Sequence, residues 1–236
     1  MNGWWDSLID QGRAYLITLV MVLACLGGAL FVVTNASYWL VDGRLMGVSQ
    51  HLVDHDYLRI LGYLQLPGIK GAMTLDYLPT DGKVIRHFRD VRNLFLMAEG
   101  LTLFAVVGSW WGLWWSKKHY QLWRLLSTLR RAMILILLGL LTIGLNFEPA
   151  FLWFHQHFFS NMDWLFDPKK EPLINLWPAS FFMTLAIGWG ALVEGFLGIL
   201  YWRIKMILRR FVFTETGLKE ADNGRNQRHN NDGQDD

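Results

Sequence analysis

The sequence predicts an all-α integral membrane protein: four transmembrane helices with a small extracytoplasmic cap. Three observations carry that prediction. The 236 residues are 53% hydrophobic and only 18% charged, with thirteen tryptophans, a residue that favours the membrane–water interface. Four apolar runs are each long enough to cross about 30 Å of hydrocarbon at 1.5 Å per residue. Basic residues gather in 117–131 (Lys117, Lys118, Arg124, Arg130, Arg131) and 203–210 (Arg203, Lys205, Arg209, Arg210), while 155–177 holds only Lys169 and Lys170. That asymmetry places both termini in the cytoplasm. The seven basic residues of 37–93 point weakly the other way, but the rule bears less on so long a loop.

In chain order, residues 1–13 are short and mixed. The first span, about 14–35, opens on the uncharged run Ala14 to Thr34. Val22-Leu-Ala-Cys25 inside it resembles a lipoprotein cleavage box, but the run stays apolar through Val33, so a retained anchor is expected. Cys25 is the only cysteine, which excludes an intrachain disulfide and a thiolate metal cage. Residues 37–93 read as a polar segment with one short helix within Tyr38 to Asp56 and another from Asp54. Leu66-Pro-Gly and Leu78-Pro-Thr-Asp-Gly82 are turn signals. Thr80 or Asp81 is a candidate cap for a helix starting near Lys83 that leads into the second span, 94–116. The basic segment 117–131 reads as a surface helix against anionic lipid. The third span is 132–154 and the fourth 178–202. Residues 37–93 and 155–177 together form the cap. Residues 1–215 are one membrane domain, and the polar tail 216–236 is expected to be disordered and cytoplasmic.

This topology brings two histidines from distant parts of the chain to one membrane surface. His87 lies about two turns before the second span, and His155 lies at the outer end of the third. Asp90 shares the helical face of His87. Glu99 falls one to two turns into the hydrocarbon, where an ionisable group is a functional candidate. Neutral imidazoles suit proton transfer near neutral pH. Neither a Gly-x-Ser-x-Gly elbow nor a His-Glu-x-x-His motif is present. A reaction between two groups of one substrate needs only positioning and proton transfer, and positioning alone is worth about 7–11 kcal/mol of barrier.

Bland readings stand beside these. Each histidine alone reads as an interfacial or solvated residue. His51 and His55, at i and i+4 beside Asp54 and Asp56, read as a polar cap face rather than a metal site. No third ligand is evident for His155-x-His157. His119 reads as a solvated residue of the basic segment, and Glu194 as a partner of Arg203 or Lys205. Asp90 and Arg92 are also candidates for a structural ion pair. Trp110-Trp111 and Trp114-Trp115 form an interfacial belt. A net charge of +2 without an Arg-rich or stacking module excludes nucleic acid.

The Thr-Asp-Gly turn before His87-Phe-Arg-Asp90-Val-Arg92, and Phe154-His155-x-x-Phe158-Phe-Ser-Asn161-x-x-Trp164 followed by Asp167-Pro and Leu-Trp-Pro178, resemble the bacterial lipoprotein intramolecular transacylase family. The resemblance covers the layout of residues 14–205 and is specific in motif around 80–95 and 146–182. It implies transfer of the sn-2 acyl chain of a diacylglyceryl-modified lipoprotein to the α-amino group of its N-terminal cysteine, giving the lyso form. It implies a bacterial plasma-membrane enzyme with its site at the outer leaflet, with lipoprotein and membrane lipid as partners and with no cofactor or metal. By motif position the catalytic residues are His87 and His155. His157 stands where the family usually has an apolar residue, and the flanking phenylalanines favour His155. Arg92, Asn146 and Asn161 are candidates to hold the oxyanion or substrate, and Asp90 to orient an imidazole. Glu99 is a candidate support, and Trp153, Phe154, Phe158 and Trp164 would wall the site. Two other classes remain open: a membrane redox protein with haem or another metal between the histidines, which a Soret band would reveal, and a non-catalytic accessory protein.

Overall fold

The computed structural model describes residues 3–69 and 71–232, with side chains of 45, 46 and 211–232 outside the description. All its regular elements are helical: α1 (Gly3–Ala36), α2 (Gln50–Gln65), α3 (Gly82–Lys118), α4 (Leu122–Leu145), α5 (Phe147–Phe158) and α6 (Ala179–Asp232). Short 3-10 turns lie at Ser37–Leu40, Gly43–Met46 and Pro172–Leu176. Four of these helices, α1, α3, α4 and α6, are long and apolar enough to cross a membrane. Their outward faces carry Leu103, Phe104, Trp110, Leu135 and Leu138, each more than half exposed, a surface suited to lipid rather than water.

Between the helices, small residues allow close approach. A Cβ added at Gly27 of α1 would lie 1.7 Å from Thr102 Oγ1 and 2.8 Å from Thr102 Cβ on α3. Gly108 and Gly112 of α3 meet Val20 and Ile17 of α1 in the same way. Four-residue spacing of small residues is a recurrent packing device in membranes, where van der Waals contact replaces the hydrophobic drive. Met21, Cys25 and Ala29 of α1 are buried with Leu125 and Leu129 of α4 and Val193 and Leu197 of α6. Thr18 and Thr128 share a buried hydroxyl hydrogen bond at 2.5 Å, and the Trp189 indole donates to the Leu26 carbonyl at 3.0 Å.

Residues of 37–93 and of the segment after α5 pack into one core. Val53, Tyr57, Ile60 and Leu64 of α2 pack with Val84 and Phe88 of α3, Leu173 and Leu176, and Trp177 and Phe181 at the entry to α6. Asp56 is fully buried, and its carboxylate accepts from the backbone N–H groups of Asp76 (3.0 Å), Tyr77 (2.8 Å) and Leu78 (2.7 Å). This pins the strap that leads to the α3 N-terminus. Asp81 caps α3, accepting from the Val84 N–H at 2.8 Å.

Several boundaries differ from those expected. The third span does not run on to 154. Pro149 lacks the N–H that would bond back to Leu145, and its ring opposes that carbonyl, so α4 ends at Leu145 and α5 restarts with Pro149 in its first turn. The basic segment 117–131 is a tight turn through Tyr120 (φ 56°) followed by the first turns of α4. Two 3-10 turns and one continuous α2 replace the two short helices expected within 38–61. The α6 backbone continues through the tail expected to be disordered as far as Asp232, in keeping with the helix formers Glu215, Leu218, Lys219, Glu220 and Ala221. Residues 233–236 lie outside the described residues.

Candidate functional site

The first two turns of α3 carry His87 on the face turned toward the cap. Its side chain is only 8% exposed and sits among Phe159 (5.0 Å between ring centroids), Phe166 (5.4 Å) and Phe88 (6.1 Å). Across from it, α5 presents His155, whose ring centroid is 6.2 Å from that of His87. The two imidazoles are 68 positions apart in sequence (155 − 87) and meet where His155 of α5 faces His87 near the start of α3.

The protonation pattern of His155 follows from its hydrogen bond. Its Nδ1 lies 2.8 Å from the Phe151 carbonyl, which can only accept, so Nδ1 carries the proton and Nε2 is left as an acceptor. Burial pushes the pKa of His155 below the usual histidine value, against the opposing pull of the Phe151 carbonyl. The ring is enclosed by Phe151 (4.1 Å), Trp164 (5.1 Å), Phe154 (5.4 Å) and Phe159 (5.5 Å). His157 behaves differently. It donates to the Trp153 carbonyl at 2.8 Å, stacks on the Trp153 ring at 4.3 Å and faces outward. His155 is therefore the histidine of the pair that faces His87.

Four polar links hold the segment after α5 against α3. Arg86 grips Asp163 through two hydrogen bonds, Nε to Oδ2 at 2.8 Å and Nη2 to Oδ1 at 3.1 Å, and that pairing holds the Asp163 carboxyl below its ordinary pKa. Asn161 donates to Asp90 at 2.8 Å and accepts from the Asp163 N–H at 3.0 Å. Lys83 donates to the Leu165 carbonyl and lies 3.9 Å from Glu171. Together these contacts lay Phe159, Trp164 and Phe166 over the histidines.

The structure gathers some of the sequence candidates and leaves others aside. Trp164, Phe154, His87 and His155 share one chamber. Asp90 and Asn161 bond to each other beside it, so neither Asp90 as an imidazole orienter nor Asp90–Arg92 as an ion pair describes the bonding. Arg92 turns to α2, with Nη2 donating to the carbonyls of Leu66 (2.7 Å) and Ile69 (3.1 Å) and its guanidinium 4.8 Å over Tyr63. Glu99 lies two turns below Arg92 on one helical face, with one buried oxygen lacking a protein partner. Asn146 is exposed and bonds the Thr142 carbonyl, away from the pair. Trp153 and Phe158 are more than half exposed on the outer side of α5, and Phe158 stacks on Phe154 at 4.5 Å. Phe151, Phe159, Phe166, Arg86 and Asp163 were not singled out. Phe159 alone had a signal, its place in the Phe-Phe-Ser-Asn run.

His55, Asp56 and Asp76 bring possible ligand atoms within 4.8 Å of one another. Both Asp56 oxygens serve backbone N–H groups, and Asp76 pairs with Arg59. His51 is not part of that cluster.

A family model described as lipoprotein intramolecular transacylase Lit matches residues 14–182. The fold is similar to that of solved membrane-integral lipoprotein intramolecular transacylases from Bacillus cereus. One matches with a TM-score of 0.77 and 22% identity over 88% of this chain and 99% of its own. A histidine-to-alanine variant matches at 0.78 and 22% over 90% and 100%, and a histidine-to-arginine variant at 0.73 and 24% over 90% and 98%. No curated protein matches the chain.

Proposed function

The chain belongs to the lipoprotein intramolecular transacylase family and is an acyltransferase, and from that premise we propose that it moves the sn-2 acyl chain of a diacylglyceryl-modified lipoprotein to the α-amino group of the N-terminal cysteine. The observation that carries this reading is the pair of imidazoles at 6.2 Å within an aromatic chamber at the end of a membrane bundle. The substrate holds nucleophile and ester in one molecule, so the protein supplies enclosure, positioning and proton transfer.

The amine nitrogen attacks the sn-2 carbonyl carbon while His155 Nε2, kept free by the Nδ1–Phe151 bond, accepts the amine proton. The tetrahedral intermediate then collapses. The bond from carbonyl carbon to glyceryl oxygen breaks as neutral His87 gives its ring N–H proton to that oxygen and recovers one from the protonated His155 facing it, so both imidazoles end as they began. The net change is one new amide, one ester fewer, and one proton moved from nitrogen to oxygen. Phe159, packed against both rings, keeps water from competing for the acyl group. In this reading the termini are cytoplasmic, the chamber faces the outer leaflet of a bacterial plasma membrane, and Asn161 and Asp90 hold the loop in place.

The test is expression in a host that makes only diacylated lipoprotein, followed by fragmentation of the N-terminal lipopeptide. Substrate and product are isomers, so intact mass does not distinguish them. Fragments must show an N-acylated cysteine and a single ester-linked chain. A peptide with two esters and a free amine, at good expression, sinks the reading.

The pH profile follows from the same geometry. The lowered pKa of His155 means that its neutral, proton-accepting form persists below the ordinary histidine titration near pH 6.5. For the enzyme–substrate complex with amine supplied neutral, the acid limb of the turnover rate should lie below pH 6.5 and fall about tenfold per further pH unit. A histidine limb centred above 6.5, separate from titration of the substrate α-amine at about 7.7–8.0, contradicts the base role.

A further inference from the structure

The chemistry above leaves the oxyanion without a donor. The residues that sequence reasoning nominated lie elsewhere: Arg92 turns to α2, where Nη2 serves the carbonyls of Leu66 and Ile69, the guanidinium lies over Tyr63 and Nη1 is buried without a partner; Asn161 Nδ2 serves Asp90; and Asn146 is exposed and bonds Thr142. The aromatic rings around His155 are Phe151, Phe154, Phe159, Trp164 and His87. Only Trp164 and His87 among them carry an N–H, and His87 is needed at the leaving oxygen.

Trp164 has an unexplained feature. It is 8% exposed, and its indole Nε1 is buried without an acceptor in the protein. Indole N–H is a donor only, and a buried donor left unpaired costs roughly 1–3 kcal/mol. Trp189, elsewhere in the bundle, follows the usual rule and donates to Leu26. The ring that carries this unpaired donor packs beside the ring that takes the amine proton, with 5.1 Å between ring centroids.

We propose that the Trp164 indole N–H is the oxyanion donor of the transfer reaction, bonding the sn-2 carbonyl oxygen as it gains charge in the tetrahedral intermediate. This rests on the transacylase reading. A donor held without a ground-state partner costs no reorganisation when charge develops, the condition under which such donors act most strongly. The position is fixed by the loop clamp. Asp163, the preceding residue, is gripped by Arg86, and Asn161 by Asp90. The chamber opens when substrate enters. Two rings 6.2 Å apart leave less than the about 7 Å a planar group needs between them. The wall free to yield is α5, none of whose residues is buried.

The test uses the full chain in lipid nanodiscs with a synthetic diacylglyceryl-cysteine lipopeptide, with product read by fragmentation. Trp164→3-benzothienylalanine keeps the bicyclic shape and removes only the N–H; Trp164→Phe removes the N–H and part of the ring. Both are expected to lower kcat by tenfold to a thousandfold, with KM for the lipopeptide and melting temperature of the benzothienyl variant unchanged. A benzothienyl variant at the wild-type kcat, or one whose loss is entirely in KM, overturns the assignment and leaves the transacylase reading standing. Wild-type protein that returns the lipopeptide unchanged overturns both.

Discussion

Replacing His155 by alanine should lower lyso-lipoprotein formation by a factor of about 10² to 10⁴, the range that a positioned general base contributes. The fold should survive, because His155 is only half-buried, α5 has no buried residue, and the one hydrogen bond lost is the local one to Phe151. His87 needs a gentler change, since it is buried against Phe159 and Phe166 and alanine would leave a cavity. His87→Phe keeps a ring in place, and because His87 Nδ1 has no protein partner it breaks no bond at that nitrogen. It should match the activity loss of His155→Ala at near-normal thermal stability. His157→Ala provides the contrast. That ring stacks on Trp153 at the outer side of α5, so the variant should retain most activity. Initial rates on one lipopeptide, with melting temperatures for all three proteins, decide the matter. A His157→Ala loss equal to that of His155→Ala would remove the assigned base.

The nearness of the two histidine rings was legible in the sequence, because one lies before the second apolar run and the other after the third, positions that two antiparallel spans bring to the same end. The Asp81 cap was legible because capping is a local pattern, and residues of the two polar segments, 37–93 and 155–177, do pack into one core. What the sequence hid has a common physical cause. Arg86–Asp163 and Asn161–Asp90 join residues more than seventy positions apart, and nothing in the local pattern of either partner names the other. Arg92 resembled a substrate ligand because the carbonyls it serves, at Leu66 and Ile69, carry no side-chain signature. The break at Asn146 was masked because residues on both sides are apolar. Pro149 was the signal, but the hydropathy of the run outweighed it. The unpaired indole of Trp164 is a property of its surroundings and is invisible until those surroundings are built.

The clamp around the histidines depends on a residue far from them. Asp56→Ala should cost roughly 3–5 kcal/mol of stability, because three backbone N–H groups lose their shared acceptor in a site closed to water. Those groups belong to residues 76–78, just ahead of the Asp81 cap where α3 begins, so the loss should loosen the turns that carry Lys83, Arg86 and His87. Asp56→Asn keeps one acceptor oxygen and should fall between alanine and wild type. The sign of the pH effect is fixed. Burial works to raise the Asp56 carboxyl, the three N–H bonds and His55 outweigh it, and the net pKa is lowered. The stability it provides is complete above the unfolded aspartate value of about 3.9 and is lost as pH falls through the lower folded value. Thermal unfolding in detergent should therefore show a gap between wild type and Asp56→Ala that is constant from pH 7 to about 4 and begins to narrow as the pH falls on to 3. A constant gap down to pH 3, or an alanine variant as stable as wild type at pH 7, would mean that the strap before α3 is held by something other than this carboxylate.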